Sequence, residues 1–278
     1  HDPAWSLAAL RDSTEDGPIV TLKVFEEPAA LAREAAHAMI QRLSRTSQSP
    51  EGHIAPLEVA LTGGTIARAI HREVAAQSAG APWGQVRFWF GDERFVPAES
   101  PDRNALQARE DFLDGLTPPP FAVMEVPAVG EVDSVAQAAS TYSEQLRHQG
   151  TGSWDLVMLG LGPDGHIASL FPHHPAAQIR DAIAVAVTDS PKPPPERVSL
   201  TFEALGRNTR AVWFVVSGAD KAHAVARSLD PTQDVSSTPV RGLLECLPPE
   251  CEVVWWLDKA AASEVEAAAL EASEDDFA

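Results

Sequence analysis

Leu156-Val157-Met158-Leu159 is apolar without a break, and the residues after it, Gly160-Leu-Gly-Pro-Asp-Gly-His166, change character at once. A strand with one wet face alternates apolar and polar side chains. An uninterrupted apolar run is buried on both faces, the condition of a strand inside a parallel sheet covered by helices on either side. Gly160, Gly162 and Gly165 allow backbone angles denied to residues with a Cβ, and Pro163 fixes one. Asp164 has the side chain of a helix N-cap, so His166 is expected in the first turn of a short helix. Ligands of open α/β sheets bind just beyond the carboxyl ends of strands, which is where this imidazole falls. A lone histidine is also commonly a satisfied surface group, so its meaning depends on the rest of the chain.

The same succession of strand, turn and helix recurs along the chain. Strands are expected at Ile19–Phe25 (near a sheet edge), Leu57–Leu61, Val86–Phe90, Phe121–Val126, Leu156–Leu159, Ala182–Val187, Val198–Phe202, Ala211–Val216 and Val253–Leu257. Between them lie helical patterns. Pro28 opens one whose apolar stripe is Leu31, Ala35, Ala38, Met39 and Leu43; Ser44–His53 then reads as a polar loop. Others are Ile66–Ile70, Asn104–Phe112 (stopped by Pro118-Pro119-Pro120), a segment spaced by Val135, Ala139, Tyr142 and Leu146, one from Ser217 through Leu229, and one from Lys259 onward. Residues 1–17 read as irregular and 271–278 as a fraying acidic tail. The reading is one α/β domain over residues 1–278, a mostly parallel, doubly wound, Rossmann-like open sheet with helices on both faces.

Composition limits the partners. Forty acidic against 21 basic residues leave a net charge of −19, which opposes binding to nucleic acid or an anionic membrane. A local basic pocket for a small anion remains compatible, because screening acts over about 8–10 Å. The two cysteines, Cys246 and Cys251, are too few for a disulfide framework or a structural zinc site and read as buried free thiols. No apolar run approaches the ~18 residues of a membrane span, and the N-terminus lacks the pattern of a signal peptide. A soluble cytoplasmic protein is expected.

Several loops after strands carry chemistry. Thr62-Gly63-Gly64-Thr65 stands between a strand and a helix. The unpaired N–H groups of a first helical turn and the helix dipole favour an anion there, and glycines let a phosphate approach the backbone. The spacing matches neither a dinucleotide nor a nucleoside-triphosphate loop. Asp92-Glu93-Arg94 ends another strand; an arginine there can clamp a phosphate or carboxylate, and a carboxylate can orient a hydroxyl or hold the arginine. The proline-rich loop Pro191–Pro195 delivers Arg197 to a strand. Lys221 lies in a first helical turn, where a cation gains nothing from the dipole and is better explained by an anionic ligand. Each residue alone has an ordinary alternative as a solvated turn. Together the loops offer a phosphate cradle, cations and one imidazole on one rim. His173 and His174, flanked by prolines, do not have the spacing of metal ligands.

Thr-Gly-Gly-Thr, Gly-Asp-Glu-Arg-Phe-Val-Pro, Gly-Leu-Gly-Pro-Asp-Gly-His-Ile-Ala-Ser-Leu-Phe-Pro, Arg-Val-Ser-Leu-Thr and Ser-Gly-Ala-Asp-Lys-Ala occur in that order between about residue 60 and residue 222. In this the chain resembles the 6-phosphogluconolactonases, whose fold is shared with the sugar-phosphate isomerases. The glycine loop departs from the family's common form: Thr62 stands in front and Ile66, not proline, follows Thr65. The resemblance implies hydrolysis of 6-phospho-D-glucono-1,5-lactone to 6-phospho-D-gluconate in the oxidative pentose phosphate pathway. It implies His166 as general base, Asp164 as its orienting group, and Arg94 with glycine-loop N–H groups as oxyanion donors. Asp92 would hold sugar hydroxyls or Arg94, and Thr62, Gly63, Gly64, Thr65, Arg197 and Lys221 would hold the 6-phosphate. No metal or other cofactor is implied, and loose functional coupling to glucose-6-phosphate dehydrogenase is conceivable. Alternatives on the same fold are an isomerase or deaminase using Asp92 as carbon base, and a non-enzymatic sugar-phosphate sensor; a metal-dependent hydrolase is a third, separable by chelator.

Overall fold

The computed structural model describes residues 5–11, 17–48 and 56–265. Its centre is a sheet in the order β1-β2-β11-β10-β7-β3-β4-β6, formed by Trp5–Arg11 (β1), Ile19–Phe25 (β2), Leu57–Leu61 (β3), Val86–Phe90 (β4), Ala122–Val123 (β6), Leu156–Leu159 (β7), Ala211–Val216 (β10) and Glu252–Asp258 (β11). Every pairing in it is parallel except β1 with β2. A small antiparallel sheet, β5-β9-β8, is made by Asp92–Arg94 (β5), Ala184–Val187 (β8) and Arg197–Leu200 (β9).

Period-two alternation decides which core each central side chain enters. On β7, Leu156 and Met158 join one core, and Val157 and Leu159 join the other. On β10 the split is Ala211, Trp213 and Val215 against Val212, Phe214 and Val216. The first core is covered by Pro28–Ser47 (α1), Thr65–Gln77 (α2) and Asn104–Asp111 (α3). The second is covered by Val135–Gln149 (α4), Phe202–Gly206 (α5), Ala222–Leu229 (α6) and Pro239–Leu244 (α7). The doubly wound, mostly parallel arrangement is therefore observed.

Several local expectations need correction. Trp5–Arg11 is a strand, not irregular chain, because its backbone pairs with β2; consequently β2 is interior, between β1 and β11. Helix α1 runs to Ser47, into the expected polar loop. Strand β6 covers only Ala122–Val123, since its parallel partners on β4 are limited to Arg87 and Phe88. Past that point Tyr142 replaces the missing strand: its hydroxyl accepts from the Phe90 N–H and donates to the Phe90 carbonyl, both at 2.8 Å. No helix follows Asp164; Gly165 at φ 91° and Ala168 at φ 48° turn the chain instead. Ser217–Leu229 is a single 3-10 turn, Ala219–Lys221, followed by α6. The last helix is described over 259–265; the expected tail at 271–278, residues 12–16 and the end of the expected loop, 49–53, lie outside the described residues. Cys246 and Cys251 are both free thiols; burial pushes them up to about 11 and about 12.

His71 on α2 is buried against Phe112, with ring centroids 4.6 Å apart, and neither ring nitrogen has a hydrogen-bond partner. Burial, aided by Arg68 and Arg72 and opposed by Asp111, holds its pKa down to about 4. An unfolded histidine titrates near 6.5, so between pH 6.5 and 4 the unfolded chain takes up a proton that the folded chain refuses. The associated stability is present above pH ~6.5 and is lost as pH falls toward ~4, about 3 kcal/mol in all. Urea unfolding across this range should show a steeper acid loss for the wild type than for His71→Leu. Equal losses would free His71 of any part in acid sensitivity.

Candidate active site

The chain order places the site. From β3 it proceeds to β4 and β6 on one side; from β7 it proceeds to β10 and β11 on the other. The crevice between the carboxyl ends of β3 and β7 is thus the topological switch point, where no crossover covers the sheet. A cavity of about 470 Å³ opens there. It is lined by Thr62, Gly63, Gly64 and Thr65 after β3, by Asp92 and Arg94 on β5, by Gly160 to Gly162 and His166 after β7, by Arg197 on β9, and by Lys221 after β10. Asp164 belongs to the same cluster through His166, so the structure brings every one of the expected site residues together.

The glycine loop ends at Gly64, which sits at φ 103° as the N-cap of α2; neither threonine caps the helix. The first intrahelical bond is Arg68 N–H to the Gly64 carbonyl, 3.0 Å. The N–H groups of Thr65, Ile66 and Ala67 therefore have no partner within the helix, and this turn borders the cavity. Gly63 lies under Asn104. A Cβ built on Gly63 would stand 2.0 Å from Asn104 Oδ1, while Asn104 Nδ2 donates to the Asp92 carbonyl at 3.1 Å.

In the loop after β7, the Asp164 carboxylate accepts from the His166 ring at Nδ1 (2.6 Å) and from the His166 N–H (3.1 Å). Burial alone would raise the Asp164 pKa; the bonds and charge of His166, with Lys192 nearby, outweigh it and hold the carboxyl down at about 2. An ionised carboxylate can only accept, so Nδ1 carries a proton and Nε2 is the nitrogen left to exchange one. The ring packs on Phe171, centroids 4.5 Å apart. Gly162 is required by this pair, because a Cβ there would meet His166 Nδ1 at 2.0 Å and Asp164 Oδ1 at 2.6 Å.

Strand β5 divides its charges between two faces. Glu93 is fully buried and accepts from the N–H groups of Arg94, Asn104 and Ala105 at 2.8–2.9 Å, so it caps α3 and fixes the strand to it. Burial pushes its carboxyl up to about 7 against the pull of Arg103 and these N–H groups. Asp92, on the other face, accepts from Ser169 Oγ at 2.6 Å, which ties it to the histidine loop. Arg94 donates from Nη1 to the Asp102 carbonyl at 2.8 Å. It stands directly opposite Arg197 across the β5–β9 ladder. Like charges so placed destabilise a sheet, and burial lowers the Arg197 pKa further, an arrangement that an anionic ligand relieves. The Lys221 ammonium donates to the Leu161 carbonyl at 2.6 Å, and burial lowers its pKa too. A strongly acidic protein thus keeps a locally cationic cavity.

Reading the sequence alone missed Asn104, Ser169, Glu93 as a cap, and Lys192, which also lines the cavity. Lys192 had a signal, a lone cation in the proline-rich loop; Asn104 and Ser169 acquire their roles only through tertiary contact. His173 and His174 turn to Ser236, Thr188 and Ala176, and among the described residues no three His, Cys, Asp or Glu side chains converge as a metal site. No helix among them is long and apolar enough to cross a membrane.

A family model of glucosamine-6-phosphate isomerases/6-phosphogluconolactonase matches residues 26–255. The chain belongs to this family. It is 35% identical over 255 residues to a 6-phosphogluconolactonase of Streptomyces coelicolor, covering 88% of this chain and 94% of that one. It is 37% identical over 214 residues to that of Mycobacterium tuberculosis, covering 74% and 84%. Among solved structures, 6-phosphogluconolactonase from Trypanosoma brucei superposes with a TM-score of 0.74 at 26% identity, covering 88% of this chain and 98% of that one. A monomeric glucosamine-6-phosphate deaminase shares the fold, with a TM-score of 0.69 at 16% identity, covering 88% and 99%.

The Gly63–Asn104 contact is testable by a double-mutant cycle. Gly63→Ala should cost about 1–3 kcal/mol of unfolding free energy by overpacking. Asn104→Ala removes the atoms that the new Cβ meets. The double variant should be more stable than the sum of the single effects by about 0.5–3 kcal/mol, the range for residues in contact. Strict additivity in denaturant unfolding would show that the glycine is not there to clear Asn104.

Proposed function

We propose that this cavity hydrolyses 6-phospho-D-glucono-1,5-lactone to 6-phospho-D-gluconate, as one domain over residues 1–278, in the cytoplasmic oxidative pentose phosphate pathway. The observation that carries the reading is the His166–Asp164 pair set beside the free N–H turn of α2 in one cationic cavity, in a chain 35% identical to a lactonase over most of both lengths. Glucose-6-phosphate dehydrogenase, which forms the lactone, is the enzyme to which it would be functionally coupled.

The 6-phosphate binds the N–H groups after Gly64, the Thr62 and Thr65 hydroxyls, and the charge of Lys221; Arg197, expected among these ligands, instead spends Nε and Nη2 on loop carbonyls. Asp92, held by Ser169, orients sugar hydroxyls. Neutral His166 removes a proton at Nε2 from a water that attacks C1, and Asp164 stabilises the imidazolium that forms. Arg94 and glycine-loop N–H groups meet the oxyanion. As the C1–O5 bond breaks, His166 returns the proton to the ring oxygen. A lactone carbonyl is electrophilic enough that no step calls for a metal.

The test is lactone disappearance at neutral pH, with substrate generated in place, EDTA present and spontaneous opening subtracted. His166→Ala should lower kcat about 10²–10⁴-fold with little change in KM, and Asp164→Asn should lower it less. An unchanged kcat in His166→Ala would remove the base from the mechanism. Turnover of glucosamine 6-phosphate without lactone hydrolysis would move the assignment to the isomerase branch, and binding without either turnover to a sensor.

A further inference from the structure

Arg197 is only 4% exposed, and its hydrogen bonds go to backbone carbonyls. Nε donates to the Pro194 carbonyl, and Nη2 to the carbonyls of Lys192 and Pro193, all at 3.2 Å. The guanidinium also lies 5.5 Å from the centre of the Phe171 ring, which in turn packs on His166. Three consecutive carbonyls of the proline-rich loop are thus gathered on one buried cation. The loop is further closed by Ser190, whose hydroxyl donates to the Lys192 carbonyl at 2.8 Å and accepts from the Lys192 N–H at 3.3 Å, while the Ser190 N–H meets the Pro195 carbonyl at 3.0 Å. All this order serves to hold Lys192 at the cavity.

Arg94 and Lys221 each spend a donor on a backbone carbonyl, Asp102 and Leu161 respectively. The Lys192 ammonium, by contrast, has no hydrogen-bond or ion-pair partner among the described residues. It lines the same cavity as Lys221, and its charge lowers the Lys221 pKa further. Two ammonium groups lining one cavity repel each other, and an anion bound between them relieves this.

We propose that Lys192 is a phosphate-binding residue of this site and that Arg197 is a positioning residue that acts through it, bracing the loop from residue 192 to residue 194. The inference rests on the sugar-phosphate reading given above and assigns the substrate's phosphomonoester a further ligand. The planar fork suits arginine at 197, because the three bonds leave from two separate nitrogens, Nε and Nη2, whereas a lysine's donors all leave from one nitrogen.

In the full-length enzyme, Lys192→Gln should raise KM for the phosphorylated lactone about ten- to hundredfold, the worth of one charge-assisted bond, with kcat nearly unchanged. Lys192→Arg should recover most of the loss. The inhibition constant of inorganic phosphate should rise in step with KM. A KM rise with unaltered phosphate inhibition would place Lys192 on another part of the substrate, and a fall in kcat alone would place it on the transition-state charge; either overturns the assignment. Arg197→Lys keeps the charge but loses the fork, so it should reproduce the KM rise, and adding Lys192→Gln to it should cost no more than about twofold. Multiplying losses would show that Arg197 acts on the substrate independently and would overturn the bracing role. Stabilisation by inorganic phosphate in thermal unfolding reads the same residue without turnover. An enzyme inactive on the lactone, yet stabilised by phosphate in the wild type and not in Lys192→Gln, would sink the lactonase reading and leave this one standing. No difference between the two in the phosphate-induced shift would sink this one.

Discussion

The parallel ladder between β3 and β7 carries the geometry of the whole site. Val59 pairs with Leu156 and Ala60 with Val157, and from these two strands the chain departs in opposite directions across the sheet. Since parallel neighbours need crossover helices, and those helices lie on opposite faces, the carboxyl ends of β3 and β7 are left uncovered together. Into that gap come two loops that only glycine can build. One presents the unpaired N–H groups of α2; the other curls so tightly that Asp164 meets the ring of a residue two positions on.

Around this crevice the small antiparallel sheet acts as a wall. Glu93 anchors it by capping α3 from inside the core, which leaves Asp92 and Arg94 on the opposite face, toward the cavity. The site is built against electrostatic preference, with Arg94 facing Arg197 and with Lys192 and Lys221 lining one cavity. In a protein of net charge −19, such a concentration of cations is a local expense in stability that makes sense at a site for an anion. His71, buried without a hydrogen-bond partner on the helix that follows the glycine loop, shows that the scaffold tolerates a similar cost outside the cavity.

How much of this could be read beforehand depended on the range of the interaction. The buried strands, the amphipathic helices and the two glycine loops were legible because burial and backbone freedom leave their mark within a few residues. The His166 and Asp164 pair was legible for the same reason, although the expected helix there is a turn. Strand β1 was not, because only its pairing with β2 makes it a strand. Asn104 over Gly63, and Ser169 on Asp92 across 77 positions of chain, were invisible for a like reason.

The sequence by itself therefore determined the fold class, most of the buried strands and flanking helices, the glycine turn before α2 and the place of His166 beside Asp164, all of them consequences of local periodicity and of where glycine permits a turn. Tertiary structure alone decided that Arg197 spends donors on loop carbonyls that an isolated motif would assign to phosphate, that Lys192 has no hydrogen-bond or ion-pair partner among the described residues, and that Asp92 is held by a serine. These depend on which polar atoms remain unsatisfied once both faces of the sheet are covered, and that is settled by packing among distant segments, not by the neighbours of any one residue.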